Sequence, residues 1–557
     1  MFSRSRAHML WNSVLYRTLI AAPLALSATV ARSAVTISSD ATNAMDCSAG
    51  TCSPTAKSAV LNASDLETLL ASGNVTVTTK GAGTTQADDI VVAASVSWTA
   101  SNTLKLDAHE SIAIDKPVAV AGLAGLALVT DDGGTGGALS FGPKGNANFA
   151  NLSSSLTING SAYTLVSSIK KLASAITAKP NGNYALAQGF NAKLAGTYAS
   201  SPIATTLTGA FEGLGNVIRN LSIDDTTTTN NVGLFATIGT GGTVSGVVLT
   251  NASVTGGASS IVGALAGVNN GTISQSSAAG SVTAGDSADV GGLVGRNYEG
   301  TISQSTTSNT VTDGGSADLG GLAGLNYDAA ISRSHATGKV TGGINQATGG
   351  LVGVNYTDGA APATISQSYA TGAVSGADEA GIGGLVGANQ SSGSLQATVS
   401  QCFATGTIAG GTTANVGGLV GYNQDAVIEN SYATGDGSMT TEGAIGGLVG
   451  LDDTGSSIAD SYSTGTVSGG SETDVGGFLG YDNNPGSITD SYWDITTSGI
   501  TNLSEGAGNI SNDAGITGLT ATQLQSGLPA GFAASIWAEK LKTNGGLPYL
   551  RANPPPK

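Results

Sequence analysis

The chain has 557 residues, of which 83 are glycine, and only 11% are charged and 5% aromatic; its net charge is −17. Glycine stands at about twice its usual share of roughly 7%, yet 40% of the residues are hydrophobic, enough for an extended core and too many for a disordered polymer. Without clustered Lys and Arg, the acidic balance argues against nucleic acid as a partner, because phosphate binding needs a basic surface.

In chain order, residues 1–34 read as a signal peptide. Arg4, Arg6 and Arg17 precede the apolar stretch Leu19 to Leu26, small residues follow, and cleavage is expected between Ala28 and Ala34. That implies export, and no later run is long enough for a transmembrane helix in the mature chain. Residues 35–72 form an N-terminal segment in which Cys47 and Cys52 are a candidate disulfide, since they close a small ring in an exported chain. A helix is predicted from Ser64 to Ala71, with Ser64 as N-cap. Residues 73–230 alternate β-rich runs with turn clusters such as Asp131 to Gly137, and a short amphipathic helix is expected from Ser167 to Ile176.

From 231 to 495 one phrase returns nine times, clearest as Val290-Gly-Gly-Leu-Val-Gly-Arg-Asn297. Its marker glycines are Gly233, Gly263, Gly292, Gly321, Gly350, Gly384, Gly418, Gly447 and Gly477, spaced 29 or 30 residues apart with two steps of 34. A second phrase follows each time, as in Ile365-Ser-Gln-Ser-Tyr-Ala-Thr-Gly-Ala-Val374. A fixed period of this length marks a stacked array, and short apolar bursts between turn formers read as strands. The expected fold is all-β: a parallel β-solenoid (β-helix) of 29–34-residue repeats with short helical insertions. The marker glycine has two possible reasons, positive φ at a corner or backbone crowding backbone. The extra residues of the 34-residue steps fall at Tyr356 to Pro362 and Gln390 to Gln396, which read as loop excursions. Residues 496–557, with a helix expected from Ala521 to Gln525 and bulky Trp537 and Leu547 to Leu550, are expected to cap the open end of the solenoid.

Gly-Gly-Leu-Val-Gly-x-Asn followed by Ile-Ser-x-Ser-Tyr-Ala-Thr-Gly-x-Val closely resembles the GLUG repeat of bacterial surface and secreted proteins. Upstream runs such as Gly73 to Val77 and Ser155 to Gly160 resemble the passenger region of filamentous-haemagglutinin-type adhesins. The resemblance implies an exported protein, at the cell surface, extracellular or periplasmic. Its partners would be host or neighbouring-cell glycans or matrix proteins, with an outer-membrane secretion partner as a further option. Two departures from that family stand out: paired Asn-Pro motifs are not found, and the last residues, Pro554-Pro-Pro-Lys557, do not read as a closing barrel strand.

Chemistry is sparse. His109-Glu110 does not extend to the His-Glu-x-x-His of zinc peptidases. His335 shares a repeat position with Ser277, Thr306, Tyr369, Phe403 and Tyr432, which points to a tolerant site. No catalytic residue, cofactor or resident metal is expected. Ca²⁺ is the one ion considered, through stacking of Asp289 on Asp318, although it wants six to eight oxygens; Asp474 shares their position, and a solvated turn is the simpler reading. The threonines at 337, 371, 405, 434 and 464 form a file that reads as a ladder. Tyr369, Phe403, Tyr432, Tyr462 and Tyr492 nearly align; packing is the commoner role for such a stack, and it is the candidate glycan-contact face. Cys402, at a position otherwise filled by serine, is expected to be a buried free thiol. The function expected is attachment without catalysis, with a carbohydrate-active enzyme or a structural filament as alternatives.

Overall fold

Each short apolar run finds its hydrogen-bond partner in the equivalent run one turn later, and the chain therefore winds as a parallel β-solenoid. A computed structural model describes residues 33–83, 85–313, 315–316, 318–344 and 347–556; the signal-peptide reading falls, up to residue 32, outside the described residues. In the array, two parallel sheets have nine strands each, one running from Asn231–Val232 to Thr473–Gly476, the other from Phe235–Ile238 to Leu479–Asp482. A third sheet stacks Ile273, Ile302, Ile331, Ile365, Val399 and Ile428 in register. A fourth carries the Ala-Thr-Gly phrases. Both 34-residue steps leave the core untouched: Asn355, Asn389 and Asn423 stay paired in register while the extra residues loop out.

The solenoid begins at Ala34 rather than near residue 73. The strand Ala34–Ser38 pairs in parallel with both Ala59–Asn62 and Asp89–Val92, so residues 35–72 are its first coil and its cover. Helix α1 (Ala63–Ser72) is capped by Asn62, not Ser64. Asn62 is extended, and its side-chain oxygen accepts the backbone N–H groups of Ser64 and Asp65 at 2.9 and 3.3 Å. The helix shields the first strand edge, where the Glu67 carboxylate accepts the Ser97 N–H at 2.8 Å. Cys47 and Cys52 face each other across an antiparallel hairpin and are joined by a disulfide. Helix α2 (Ile169–Ala178) starts at the N-cap Ser168 and buries Ile169, Leu172 and Ile176 on one stripe.

Close approach explains the marker glycines. None of the nine has positive φ. A Cβ on Gly321 would fall inside the contact radius of the Gly350 carbonyl and crowd the Ala336 methyl; Gly350 meets Gly384 and Ala370 in the same way. The alanine of Ala-Thr-Gly is therefore small because it packs on the glycine of the other phrase.

Two polar files run through the interior. The side-chain amide of Asn269 donates to Asn297, and the chain continues through Asn326, Asn355, Asn389 and Asn423 to Asp452, each link 2.7–2.9 Å and fully buried. The second serine of Ile-Ser-x-Ser is buried as well. Ser305, for example, donates to the Ser303 carbonyl at 2.9 Å and accepts the Ser276 N–H at 3.2 Å. Cys402 substitutes for this serine, its thiol 3.1 Å from the Ser400 carbonyl and its pKa pushed up to about 12 by burial.

The C-terminal segment does more than cap the end. Residues 496–519 do close the last coil: Ile516–Leu519 pairs with Ser491–Asp494, and the Gly477 and Phe478 N–H groups donate to the Glu505 and Gly506 carbonyls at 3.0 Å. Residues 520–553 then fold back along one side. They begin with helix α3 (Ala521–Leu524), capped by Thr520, and end where the Asn553 amide donates to the carbonyls of Ser368 and Gln401 at 3.1 Å. The described residues contain no helix long and apolar enough to cross a membrane.

Candidate binding faces

The aromatic file proposed as a glycan face is a packed core. In-register pairing places His335, Tyr369, Phe403, Tyr432, Tyr462 and Tyr492 in one column. From His335 to Tyr462 the rings stack with centroids 4.5–5.1 Å apart and planes within 8°. The returning C-terminal segment covers them. Trp537 lies against Tyr432 and Tyr462, the Tyr462 hydroxyl donates to the Pro548 carbonyl at 2.7 Å, and that of Tyr492 to the Ala530 carbonyl at 3.0 Å. Phe403, Tyr432 and Tyr462 are 0% exposed and Tyr492 only 7%, so no ligand reaches them without displacing this strap. Tyr369, at its end, and His335, one coil beyond, are half-buried.

Another tyrosine file faces solvent. The strands Val294–Tyr298, Ala323–Tyr327 and Val352–Thr357 of the second nine-stranded sheet bury Asn297, Asn326 and Asn355 and turn the next residue outward, which leaves Tyr298, Tyr327 and Tyr356 half-exposed on three successive coils. Tyr298 and Tyr327 stack at 4.9 Å; Tyr327 and Tyr356 are tilted, 5.4 Å apart. The Tyr327 hydroxyl donates to the Asp358 carboxylate at 2.6 Å, which lowers the pKa of that acid and raises that of the phenol. Sequence reasoning passed over this file, although the recurring Asn-Tyr at 297–298, 326–327 and 355–356 was its visible signal.

Beside the tyrosines lies a shallow groove of about 490 Å³, floored by Ala347, Val354, Gly381 and Ala388 and bordered by Asp318 and Tyr422. Asp289 and Asp318 are neighbours in register, whereas Ala347, Gly381, Asn415 and Ala444 separate them from Asp474. They are not freely solvated turn residues. Asp289 is paired with the Arg296 guanidinium, whose Nε donates to it at 2.8 Å. Burial pushes Asp318 up to about 7, the neighbouring Asp289 adds to the shift, and Arg296 opposes it. A carboxyl so placed exists partly as the acid near neutral pH and can donate a proton. Among the described residues no three acidic, His or Cys side chains converge in a way that could hold a metal. The threonine file follows the same register, from exposed Thr337 to buried Thr464, its backbone N–H groups tied to the preceding coil.

Comparison with known proteins agrees with the repeat reading. The GLUG motif matches residues 286–312, 315–341, 344–375 and 412–436. Over 75 residues, 14% of this chain and 1% of its counterpart, the sequence is 45% identical to Halomucin of Haloquadratum walsbyi; the match thus spans a small fraction of that protein's length. Two solved structures align at low similarity. One is a candidate immunoglobulin A1 protease of Bacteroides ovatus, with TM-score 0.28, 13% identity, 70% of this chain and 92% of that one. The other is an IgA1 protease, with TM-score 0.30, 18% identity, 57% of this chain and 20% of that one. The chain is therefore a repeat protein carrying GLUG motifs on a parallel β-solenoid.

Proposed function

We propose that this chain is an exported, adhesin-like protein, displayed at the cell surface or secreted, that attaches to glycans or matrix proteins of a host or neighbouring cell. The observation that carries this reading is the solvent-facing strip of Tyr298, Tyr327 and Tyr356 beside a shallow groove with polar residues at its border, on a solenoid whose first coils are shielded by helix α1 and whose last coil is closed by residues 496–519. Aromatic rings with polar partners at their rims suit recognition of partly apolar, partly hydroxylated surfaces. Covered strand edges disfavour end-to-end stacking, which favours the outward sheet faces as the working surface. Protease shaving of intact cells, with binding of the purified protein to immobilised cells, glycans and matrix proteins, tests the reading. Surface cleavage with saturable binding is expected; protein protected inside the cell envelope, or failure to bind where a known adhesin scores, would sink it.

A glycan-processing activity is the second reading, favoured by Asp318, a carboxyl at about 7 on the rim of the groove. Turnover of any member of a polysaccharide panel, abolished by Asp318→Asn, would establish it. Inertness across the panel, with and without Ca²⁺, would dismiss it.

A further inference from the structure

The buried aromatic column is the C-terminal half of a longer furrow. In register, the column runs Val217, Val248, Ser277, Thr306, His335 and Tyr369 before it reaches Phe403. The strap fills the furrow from Tyr492 back to Ser368 and stops there. At the opposite end the side chains shrink to Ser277 and Thr306, and the furrow widens into a cleft of about 740 Å³. Its far wall is residues 136–143, at the strand Leu139–Phe141, which is the edge of the N-terminal sheet. The near wall is a corner of successive coils, Gly246, Gln275 and Gln304, each with positive φ.

We propose that this cleft binds a neutral oligosaccharide, an inference that rests on the attachment reading above and names its ligand class and site. The volume lies in the range of small-ligand sites, about 300–1,000 Å³. The lining supplies hydroxyls and amides from Ser111, Ser140, Ser277, Thr306, Gln275 and Gln304, one aromatic ring from Phe141, and no charged side chain. In a chain of net charge −17 that selects against an anionic ligand, and nothing in the lining compensates a cationic one. Among the described residues the side chains of Gln275, Gln304, Ser277 and Thr306 take no internal hydrogen bond, so their donors and acceptors are open to a ligand. His335, stacked on Tyr369, follows Thr306 in register and separates the cleft from the buried rings. Hydroxyl and amide donors around ring faces match a pyranose, which has a hydroxylated rim and an apolar face.

The test uses substitutions that the fold already accepts. Tyr occupies this column at 369, 432, 462 and 492, so the double variant Ser277→Tyr/Thr306→Tyr continues the stack and fills the cleft. Phe141→Ala removes the ring from the other wall. The purified protein is screened on a printed array of neutral and acidic glycans, and the strongest hit is titrated calorimetrically against wild type and both variants, with melting curves as a folding check. The expected result is neutral glycans among the hits and at least about tenfold weaker binding in both variants. Glycan binding unchanged in both variants, or a preference for acidic glycans, overturns the cleft proposal and leaves the attachment reading intact. Adhesion to cells or matrix proteins with no glycan binding does the same. Absence of adhesion and of glycan binding alike removes both.

Discussion

The solenoid before residue 165 and the array after 231 share one architecture and fill it differently. The N-terminal section has an aliphatic interior of Val35, Ile37, Leu61, Ile90, Leu104, Leu106, Leu126 and Leu128. Buried polar side chains there are few, such as Thr79 and Thr130 near turns. The array buries whole files of asparagine and serine. An amide deep in a core costs about 1–3 kcal/mol if its partner is missing. In a repeat, the next coil presents the same amide about 4.8 Å away, so each residue satisfies its neighbour. A non-repeating section has no such guarantee. Repetition thus permits interior chemistry that an irregular solenoid must avoid, and it makes the array sensitive to any interruption.

That contrast can be broken in four places. Gly350→Val inserts a branched side chain against the Gly384 carbonyl and the Ala370 methyl. A loss of about 3 kcal/mol or more, at the upper end for overpacking, is expected in denaturant unfolding, whereas Ala127→Val, at an outward, half-buried position of the N-terminal section, stays within about 1 kcal/mol. Equal effects would mean that the array tolerates bulk as the irregular coils do. Asn355→Leu interrupts the ladder, stranding the donor of Asn326 and the acceptor of Asn389. About 2–3 kcal/mol is the expected cost, and a neutral outcome in urea titration would show that the amides are replaceable by packing.

The N-terminal cover is held differently. Replacing Cys47 and Cys52 with alanine removes a short cross-link, and the loop-entropy relation gives about 2 kcal/mol. Hydrogen exchange is expected to quicken in the first coils and not in the array; faster exchange throughout would contradict independent behaviour of the two cores.

The smallest effect is electrostatic. The amide ladder ends on Asp452, raised by burial to about 6, and Asp513, raised to about 7 by burial and by the neighbouring Asp482 carboxylate, lies in the closing segment. Both folded pKa values exceed the ordinary aspartate value near 3.9. Their contribution is therefore complete below about pH 4 and is lost as pH rises through 6 to 7. Urea unfolding is expected to show higher stability at pH 5 than at pH 8, and Asp452→Asn, which extends the amide chain by one link, should reduce the difference. An unchanged pH dependence would locate it in other groups.

Much of the scaffold was legible in the chain. The nine glycines marked the nine coils of the array, and the loop-like excursions at 356–362 and 390–396 left the register alone, because stacking depends on the core phrase and not on what hangs between strands. The choice between positive φ and close approach for those glycines was not legible, since both demand a missing Cβ. Nor was the choice between the two tyrosine files. Tyr432 and Tyr298 both follow a small polar residue in a repeated phrase, and alternation alone leaves each on the outside of its strand.

The sequence by itself determined the parallel solenoid, the coil count of the array and its inward set of apolar residues, because a repeated phrase can bury itself only against its own copies. The tertiary structure decided which outward residues remain outward. The strap of residues 520–553 comes from outside the repeat and covers Phe403, Tyr432, Tyr462 and Tyr492, leaving Tyr298, Tyr327, Tyr356 and the Ser277–Thr306 cleft to solvent. Periodicity constrains contacts between neighbouring coils, whereas a segment that returns across five of them is set by side-chain complementarity, which has no period to read.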